Sequence, residues 1–202
     1  MFLQILDKNQ KALLPGFHFT NRRFYLVGGT SLGLQIGHRR SIDFDFFTDR
    51  KLSLKVIDNN LSNRLKDRVI VKNEKNYTLV YNQVKLTFFH YPFNLSKYYI
   101  QLHKNIRSVD ILTIAAMKAY ALGRRAKWKD YVDLYFVLHQ FGIKDISNRA
   151  KDIFGEQYNE MLFRKQLGYF ADIDYSEKVD YIAEPVPDEE VREFLIKEAV
   201  RL

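Results

Sequence analysis

The chain contains no cysteine, and only four of its 202 residues are proline. Without cysteine it can form no disulfide framework, no thiolate metal site and no cysteine nucleophile, so a metal must be held by oxygen ligands or histidine. No apolar run approaches the roughly 18 residues that span a bilayer. The first residues also lack the basic and apolar regions of a secretory signal. We therefore expect a soluble, cytoplasmic protein.

Basic and acidic residues are unevenly distributed along the chain, which has a formal net charge of +8. Residues 1–151 contain 26 Lys and Arg against 11 Asp and Glu, whereas residues 152–202 contain 6 against 13. A basic body attracts polyanions such as nucleic acid or nucleotide phosphates. A solvated, charged surface is an equally good explanation of the same excess.

The order of the expected elements predicts an α+β fold, with a small mixed sheet and flanking helices followed by a C-terminal helical bundle. Residues 77–81 and 84–91 are typical of two strands in a hairpin around Asn82-Gln83. A helix is expected over 53–67, and only helices are expected after about residue 95, one of them ending at Gly123. The pattern predicts an α/β core over 1–95 and a helical domain over 96–202 that packs on it.

Asp43 and Asp45 are the strongest candidates for metal ligands. On a strand they would point to the same side, about 7 Å apart, with Phe44 and Phe46 on the opposite side. Two carboxylates on one patch repel each other, and a hard cation such as Mg²⁺ relieves the conflict. A solvated strand face carrying an ordinary Asp-x-Asp pair is the alternative.

The segment Gly28-Gly29-Thr30 falls between the end of a buried strand and the start of a helix. Glycines let a phosphate approach the backbone, and the free amides of a helix N-terminus favour anions. An ordinary tight turn is the alternative. The segment fits neither G-x-G-x-x-G nor the Walker A pattern, which excludes a Rossmann or a P-loop site here.

In combination, the Gly-Gly-Thr turn, a short helix and the acidic strand resemble the motif of DNA polymerase β-like nucleotidyltransferases. Residues 26–47 are similar to one branch, the AbiEii/AbiGii toxin family of minimal nucleotidyltransferases. Residues 110–118 resemble the Asp-to-Lys helix of that family, and residues 125–136 resemble its basic loop and the acidic helix that follows. The resemblance extends over most of the chain.

The resemblance implies transfer of a nucleoside monophosphate from a nucleoside triphosphate to a hydroxyl acceptor, with Mg²⁺ as cofactor in a two-metal site. The implied catalytic residues are Asp43, Asp45, Lys118 and Asp130, of which Asp43 and Asp45 hold the metal. The implied nucleotide-binding residues are Gly28, Gly29, Thr30, Arg39, Arg125 and Lys127. Asp130 would either orient Lys118 or take the proton of the acceptor, and the sequence leaves this choice open.

The resemblance also implies the biological setting, namely a toxin of a toxin–antitoxin pair that modifies RNA, with the 3′ end of transfer RNA as acceptor and a cognate antitoxin as partner. One departure is visible. Members of the wider superfamily often carry a third carboxylate on a later strand, whereas here Lys85 or Thr87 occupies that position. Two alternatives stay open: a nucleotide-binding or RNA-binding module with little turnover, and nucleotidyl transfer onto a protein.

Overall fold

The computed structural model describes residues 1–122 and 124–201. The chain divides into two compact units, of which the first covers Met1–Val109 and the second begins at Asp110. Gly123, expected to end a helix, lies outside the described residues. Among the residues described, no helix is long and apolar enough to cross a membrane.

A seven-stranded mixed sheet forms the first unit. Its strands are β1 (Tyr25–Val27), β2 (Phe44–Thr48), β3 (Lys66–Lys72), β4 (Asn76–Tyr81), β5 (Val84–His90), β6 (Tyr99–His103) and β7 (Ile106–Val109). They lie in the order β3-β4-β5-β2-β1-β7-β6. The pairs β2–β5 and β1–β7 are parallel and the other neighbours are antiparallel. The acidic strand β2 therefore lies in the middle of the sheet, between β5 and β1.

One face of the central strands is buried under aromatic side chains. Phe44 and Phe46 of β2 are fully buried, and the ring of Phe17 packs edge-on against both, with ring centroids 5.0 and 4.9 Å apart. Phe46 also stacks on Phe88 of β5 at 5.5 Å. Because side chains alternate along a strand, this burial directs Asp45 to the other face. The core thus fixes the orientation of the candidate metal ligand.

The helices of both units follow the predicted order of elements. The first unit contains α1 (Lys8–Leu13), α2 (Gly28–Ile36) and α3 (Leu54–Asn60), and the second contains α4 (Ile111–Leu122), α5 (Trp128–Leu138), α6 (Ile143–Phe154), α7 (Glu160–Leu167) and α8 (Asp188–Val200). Asp110 caps α4, because its Oδ1 accepts a hydrogen bond from the amide of Thr113 at 2.7 Å. The expected mixed α/β class is confirmed.

The predicted hairpin is confirmed, with β4 and β5 joined by two residues. Asn82 and Gln83 have φ values of 50° and 63°. Two consecutive residues with positive φ are the signature of a type I′ turn, whose twist matches that of the flanking strands. The turn brings Tyr81 opposite Val84. It thereby sets the register of β5, which carries Lys85 and Thr87.

The structure differs from the sequence-based expectation at two places in the chain. The stretch after residue 95 begins with β6 and β7 and not with a helix, and both strands belong to the first unit. Ser108 of β7 pairs with Leu26 of β1, so this strand forms because the sheet offers it an edge. The helix expected over 53–67 ends at Asn60. Residues 63–65 form a short 3-10 segment, and residues 66–67 belong to β3.

Candidate active site

The turn after β1 brings the backbone of Gly28 against the carboxylate of Asp45. Val27 and Asp45 are partners across the β1–β2 pair, so Gly28 follows at the point where β1 ends. Gly28 has a φ of 71°, and a Cβ added to it would lie 2.8 Å from Asp45 Oδ2. Both the left-handed backbone and the close approach require glycine. The first residue of α2 thus touches the candidate metal ligand.

Arg39 lies beside the next glycine. A Cβ added to Gly29 would lie 2.6 Å from Arg39 Nη2 and 3.1 Å from Ser41 Oγ. Arg39 is only 3% exposed, and its Nη1 donates to the backbone oxygen of Arg40 at 3.0 Å. A buried guanidinium next to the N-terminal amides of a helix makes a corner that attracts anions. The nucleotide-binding role of Arg39 stays a prediction.

Thr30 holds the start of the acidic strand in place. Its hydroxyl donates a hydrogen bond to the backbone oxygen of Asp43, the residue that immediately precedes β2. Thr30 is buried, at 1% exposure. The sequence predicts a phosphate contact for this hydroxyl, and in the structure it fastens α2 to the chain around Asp43.

A lysine of the neighbouring strand contacts Asp43. In the parallel β2–β5 pair, Asp45 lies opposite Thr87. Thr87 therefore occupies the strand position at which the family resemblance implies a third carboxylate. Lys85, two residues earlier on the same face, places its Nζ 2.7 Å from Asp43 Oδ2. The sequence alone does not indicate this ion pair. The alternation along β5 places Lys85 on that face, but its partner follows only from the register of two strands far apart in the chain.

The oxygen atoms of Asp43 and Asp45 suit a hard divalent cation. Mg²⁺ typically takes one or two carboxylates and completes its shell with water and substrate phosphates. Over the described part of the chain, no group of three or more His, Cys, Asp or Glu residues could hold a metal ion. The donor set therefore fits a cation that shares its ligands with a bound phosphate, and it does not fit a cage made by the protein alone.

In the second unit, Lys118 lies between two aspartates. Its Nζ is 2.5 Å from Asp130 Oδ1 and 2.6 Å from Asp133 Oδ2, so it joins α4 to α5. All three side chains are at least 94% buried. The sequence predicts the first two residues of this triad and misses Asp133, although spacing of three residues on a helix places Asp130 and Asp133 on neighbouring positions of one face.

The two basic residues near the start of α5 have different surroundings. Arg125 Nη2 lies 3.1 Å from Asp130 Oδ2, and 54% of the Arg125 side chain is exposed. Lys127 forms an ion pair with Glu177, which Lys129 also contacts at 3.1 Å. Arg125 thus contacts the buried triad from the solvent side, whereas Lys127 pairs with a surface carboxylate. The catalytic and nucleotide-binding roles of Lys118, Asp130, Arg125 and Lys127 stay predictions.

A glycine turn that opens a helix, set against an Asp-x-Asp strand in a mixed sheet, is the arrangement of a nucleotidyltransferase fold. The family described as nucleotidyl transferase AbiEii toxin, of the type IV toxin–antitoxin system, matches residues 13–201. The chain belongs to the AbiEii nucleotidyltransferase toxin family and is a transferase, as the resemblance of its two motif blocks implies.

Individual relatives support the same fold. The chain is 32% identical over 182 residues to aq_aa25, an uncharacterized protein of Aquifex aeolicus, with 85% of this chain and 84% of that protein aligned. JHP933 from Helicobacter pylori matches with a TM-score of 0.59 at 19% identity, covering 96% of this chain and 91% of that one. MenT4, a nucleotidyltransferase toxin of Mycobacterium tuberculosis, has a TM-score of 0.59 at 16% identity, with coverages of 94% and 82%.

Proposed function

We propose that this chain transfers a nucleoside monophosphate from a nucleoside triphosphate to a hydroxyl acceptor, with a divalent cation such as Mg²⁺ held by Asp43 and Asp45. The observation that carries the proposal is the contact of Asp45 with Gly28 at the N-terminus of α2. Carboxylates attract the cation, and the backbone amides of a helix N-terminus attract the phosphates that complete its shell. Both halves of a cation–triphosphate site thus meet at one corner of the first unit.

The residues around this corner would position the reactants. When bound, the cation lowers the pKa of the attacking hydroxyl and offsets charge on the leaving pyrophosphate. Asp43 and Asp45 orient it, while Gly28 and Gly29 leave the backbone open to phosphate oxygens. Arg39, held beside Gly29, offsets negative charge that develops on the triphosphate. Fixed charges of this kind need no reorganisation during the reaction, so they stabilise the transition state more than water does.

RNA is the acceptor that the charge distribution favours. The first unit, residues 1–109, contains 18 Lys and Arg against 7 Asp and Glu, and a basic surface of this kind attracts a polyanion. The 3′ end of transfer RNA, implied by the family resemblance, is the first acceptor to test. Membership of a toxin–antitoxin family suggests a cognate antitoxin as partner. We propose both this partner and transfer RNA as the acceptor.

One observation favours a second candidate function. Thr87 lies opposite Asp45, at the position where superfamily members often carry a third carboxylate. A site with fewer carboxylates binds metal more weakly, which is compatible with a module that binds a nucleotide or RNA but turns over little. The two candidates differ in one measurable event, the release of pyrophosphate.

Labelled nucleotides test the proposal. The full chain is incubated with Mg²⁺, total RNA and each of the four nucleoside triphosphates, labelled at the α-phosphate, and the RNA and protein fractions are then separated. We expect label on RNA, lost on chelation of Mg²⁺ and in the Asp43→Ala/Asp45→Ala variant. The exposed Asp49, changed to Asn, is the matched control and keeps the activity.

The distribution of label between the RNA and protein fractions distinguishes the competing functions. Label on the protein fraction in place of RNA would overturn the RNA acceptor and support transfer onto a protein. Triphosphate binding measured by calorimetry, with no label on either fraction and no pyrophosphate released, would support the binding module. Equal labelling by the wild type and the double variant would rule out catalysis at Asp43 and Asp45.

A further inference from the structure

The sheet face that carries Asp45 continues into a row of aromatic side chains. Phe47 follows Asp45 by two residues on β2, so both side chains point to the same face, about 7 Å apart along the strand. Phe89 of β5 lies opposite Phe47, and the ring centroids of these two residues are 5.2 Å apart. The ring of Tyr91 also lies 5.2 Å from that of Phe47. The row therefore begins next to the proposed cation site.

The row continues across the sheet on the other side of β2. Tyr25 of β1 lies opposite Phe47, and its ring packs on Tyr99 of β6 with ring centroids 5.1 Å apart. The guanidinium of Arg107 lies over the Tyr99 ring, 4.1 Å from its centroid. We define the aromatic row as Phe47, Phe89, Tyr91 and Tyr99.

These side chains differ in exposure from the aromatic residues on the opposite face. Phe44, Phe46 and Phe88 are fully buried there, whereas every member of the aromatic row is partly exposed. Partly exposed rings on a sheet suit unpaired nucleobases, because every base presents a flat π face that stacks on an aromatic ring. The guanidinium of Arg107 adds cation–π attraction and a positive charge for the sugar–phosphate backbone.

The position of the row distinguishes an acceptor from the nucleoside triphosphate. Along β1, Tyr25 precedes and Gly28 follows Val27, the partner of Asp45. The aromatic row and the glycine turn thus lie on opposite sides of Asp45. In phosphoryl transfer the attacking and leaving oxygens are roughly in line across the phosphorus. With the triphosphate at the turn, the attacking hydroxyl approaches from the side of the aromatic row.

We propose that the aromatic row stacks the unpaired bases at the 3′ end of the acceptor RNA and so holds the terminal hydroxyl beside Asp45. The inference rests on the proposed function and specifies the acceptor as an RNA with a single-stranded 3′ end. Phe89 and Tyr99, on either side of β2, contact different bases of that end. Arg107, stacked on Tyr99, supplies charge for a phosphate of the same strand.

Leucine variants of the row test stacking, because leucine keeps an apolar side chain and removes the flat ring. Phe89→Leu and Tyr99→Leu are the test variants. Phe19 offers the matched control, since it is also partly exposed. Its ring contacts Phe88 on the buried face of the sheet, with ring centroids 6.1 Å apart. Phe19→Leu therefore removes a ring of the same unit that lies outside the aromatic row.

Removing bases from the RNA tests the inference on the wild-type chain. The probe is a fluorescein-labelled RNA hairpin with an unpaired 3′ extension, compared with the same hairpin carrying abasic sugars throughout the extension. Both probes have the same phosphates, so the electrostatic part of binding is the same. Fluorescence anisotropy of the full chain is expected to show about tenfold weaker binding of the abasic hairpin, because stacking is lost.

The variants locate the stacked bases on the protein. Phe89→Leu and Tyr99→Leu are each expected to weaken binding of the intact hairpin about threefold or more and to leave binding of the abasic hairpin unchanged. Phe19→Leu is expected to bind both hairpins as the wild type does. A variant that weakens both hairpins equally would show a general structural effect and would contradict the stacking role of that residue.

Equal affinity of the wild type for the intact and the abasic hairpin would overturn the inference and leave the proposed function intact, because label transfer to RNA is measured separately. Calorimetry with α,β-methylene-ATP and Mg²⁺ tests the other source of a base. We expect Phe89→Leu and Tyr99→Leu to bind this analogue as the wild type does. Weaker binding of the analogue with unchanged hairpin binding would assign the row to the triphosphate and contradict the inference. If a variant fails to fold, the two hairpins on the wild type decide.

Discussion

Gly28 constrains the geometry of the proposed cation site. Its left-handed backbone costs an L residue about 1–2 kcal/mol, and a Cβ there would also push against Asp45 Oδ2. We expect Gly28→Ala to lose both stability and Mn²⁺ affinity, the latter by at least tenfold. Urea unfolding and equilibrium dialysis measure the two effects separately.

Gly155 provides the control for the backbone cost alone. It has a φ of 54°, and a Cβ added to it would meet nothing within 4 Å. Because its ψ of −133° lies outside the left-handed helical region, an L residue there is strained by about 1–3 kcal/mol, and Gly155→Ala is expected to lose stability of this order with unchanged Mn²⁺ affinity. If Gly28→Ala kept full affinity for Mn²⁺, the contact with Asp45 would not matter for cation binding.

Asp58 is a second residue whose environment makes a measurable prediction. Burial raises the pKa of its carboxyl, but hydrogen bonds from Lys66, Lys72 and Tyr77, each 2.7 Å long, outweigh burial and hold this pKa well below its usual range. A carboxyl whose pKa is lower in the folded state stabilises the fold above its unfolded pKa, near 3.9, and loses this contribution as the pH falls.

We therefore expect Asp58→Asn to destabilise the protein at pH 7 by about 1–2 kcal/mol. The difference from the wild type should shrink as the pH falls below about 4. Urea unfolding at pH 7 and pH 3 measures both values. The exposed Glu74, changed to Gln, serves as the control and should have no effect at either pH. A difference that is independent of pH would contradict the role given to these ion pairs.

Among the elements, α4 and α5 depend on the buried triad of Lys118, Asp130 and Asp133. Removing one partner of a buried ion pair leaves uncompensated charge in the interior and typically costs about 3–5 kcal/mol. We expect Lys118→Met to lose stability in this range, because two buried carboxylates then lack their cation. Thermal and urea unfolding of the full chain give the measurement.

Arg125→Gln is the comparison for a charge at the edge of the same triad. Because 54% of the Arg125 side chain is exposed, its ion pair with Asp130 is screened by solvent and contributes at most about 1 kcal/mol. A Lys118→Met variant as stable as the wild type would show that the triad does not hold the two helices together. If the variant is destabilised as expected, loss of activity alone cannot establish a catalytic role for Lys118.

Elements that are specified by a local pattern in their own residues could be predicted from the sequence. The hairpin of β4 and β5 and the alternation of β2 are local patterns, as is the Gly-Gly turn before α2. In contrast, β7 pairs with the edge of β1, and the helix expected over 53–67 ends at Asn60, while residues 66–72 form a strand paired with β4. These outcomes depend on partners distant in the chain, which periodicity does not reveal.

The same distinction applies to the candidate site. The sequence indicates Asp43, Asp45 and the glycines because they belong to one local motif within residues 26–47. The contact of Lys85 with Asp43 and the insertion of Lys118 between two aspartates join residues on separate elements. They became visible only with the register of the sheet and the packing of α4 on α5.

At the scale of the whole molecule, basic charge is concentrated in residues 1–109, where 18 Lys and Arg stand against 7 Asp and Glu. Neutralising phosphates releases counterions, so binding of RNA through these charges weakens as salt rises. We expect the affinity of the full chain for total RNA to fall about tenfold or more between 50 and 200 mM salt. Filter binding measures it, and an affinity independent of salt would exclude an electrostatic RNA surface.

The central claim is that Asp43 and Asp45 hold the cation that drives nucleotidyl transfer. The most direct test is the rate of pyrophosphate release from each nucleoside triphosphate in the presence of Mg²⁺ and total RNA. We predict release by the wild type and by Asp49→Asn, and a loss of about a hundredfold or more in Asp45→Asn, the range seen when a key charge-stabilising group is removed. Equal rates for Asp45→Asn and the wild type would contradict the account.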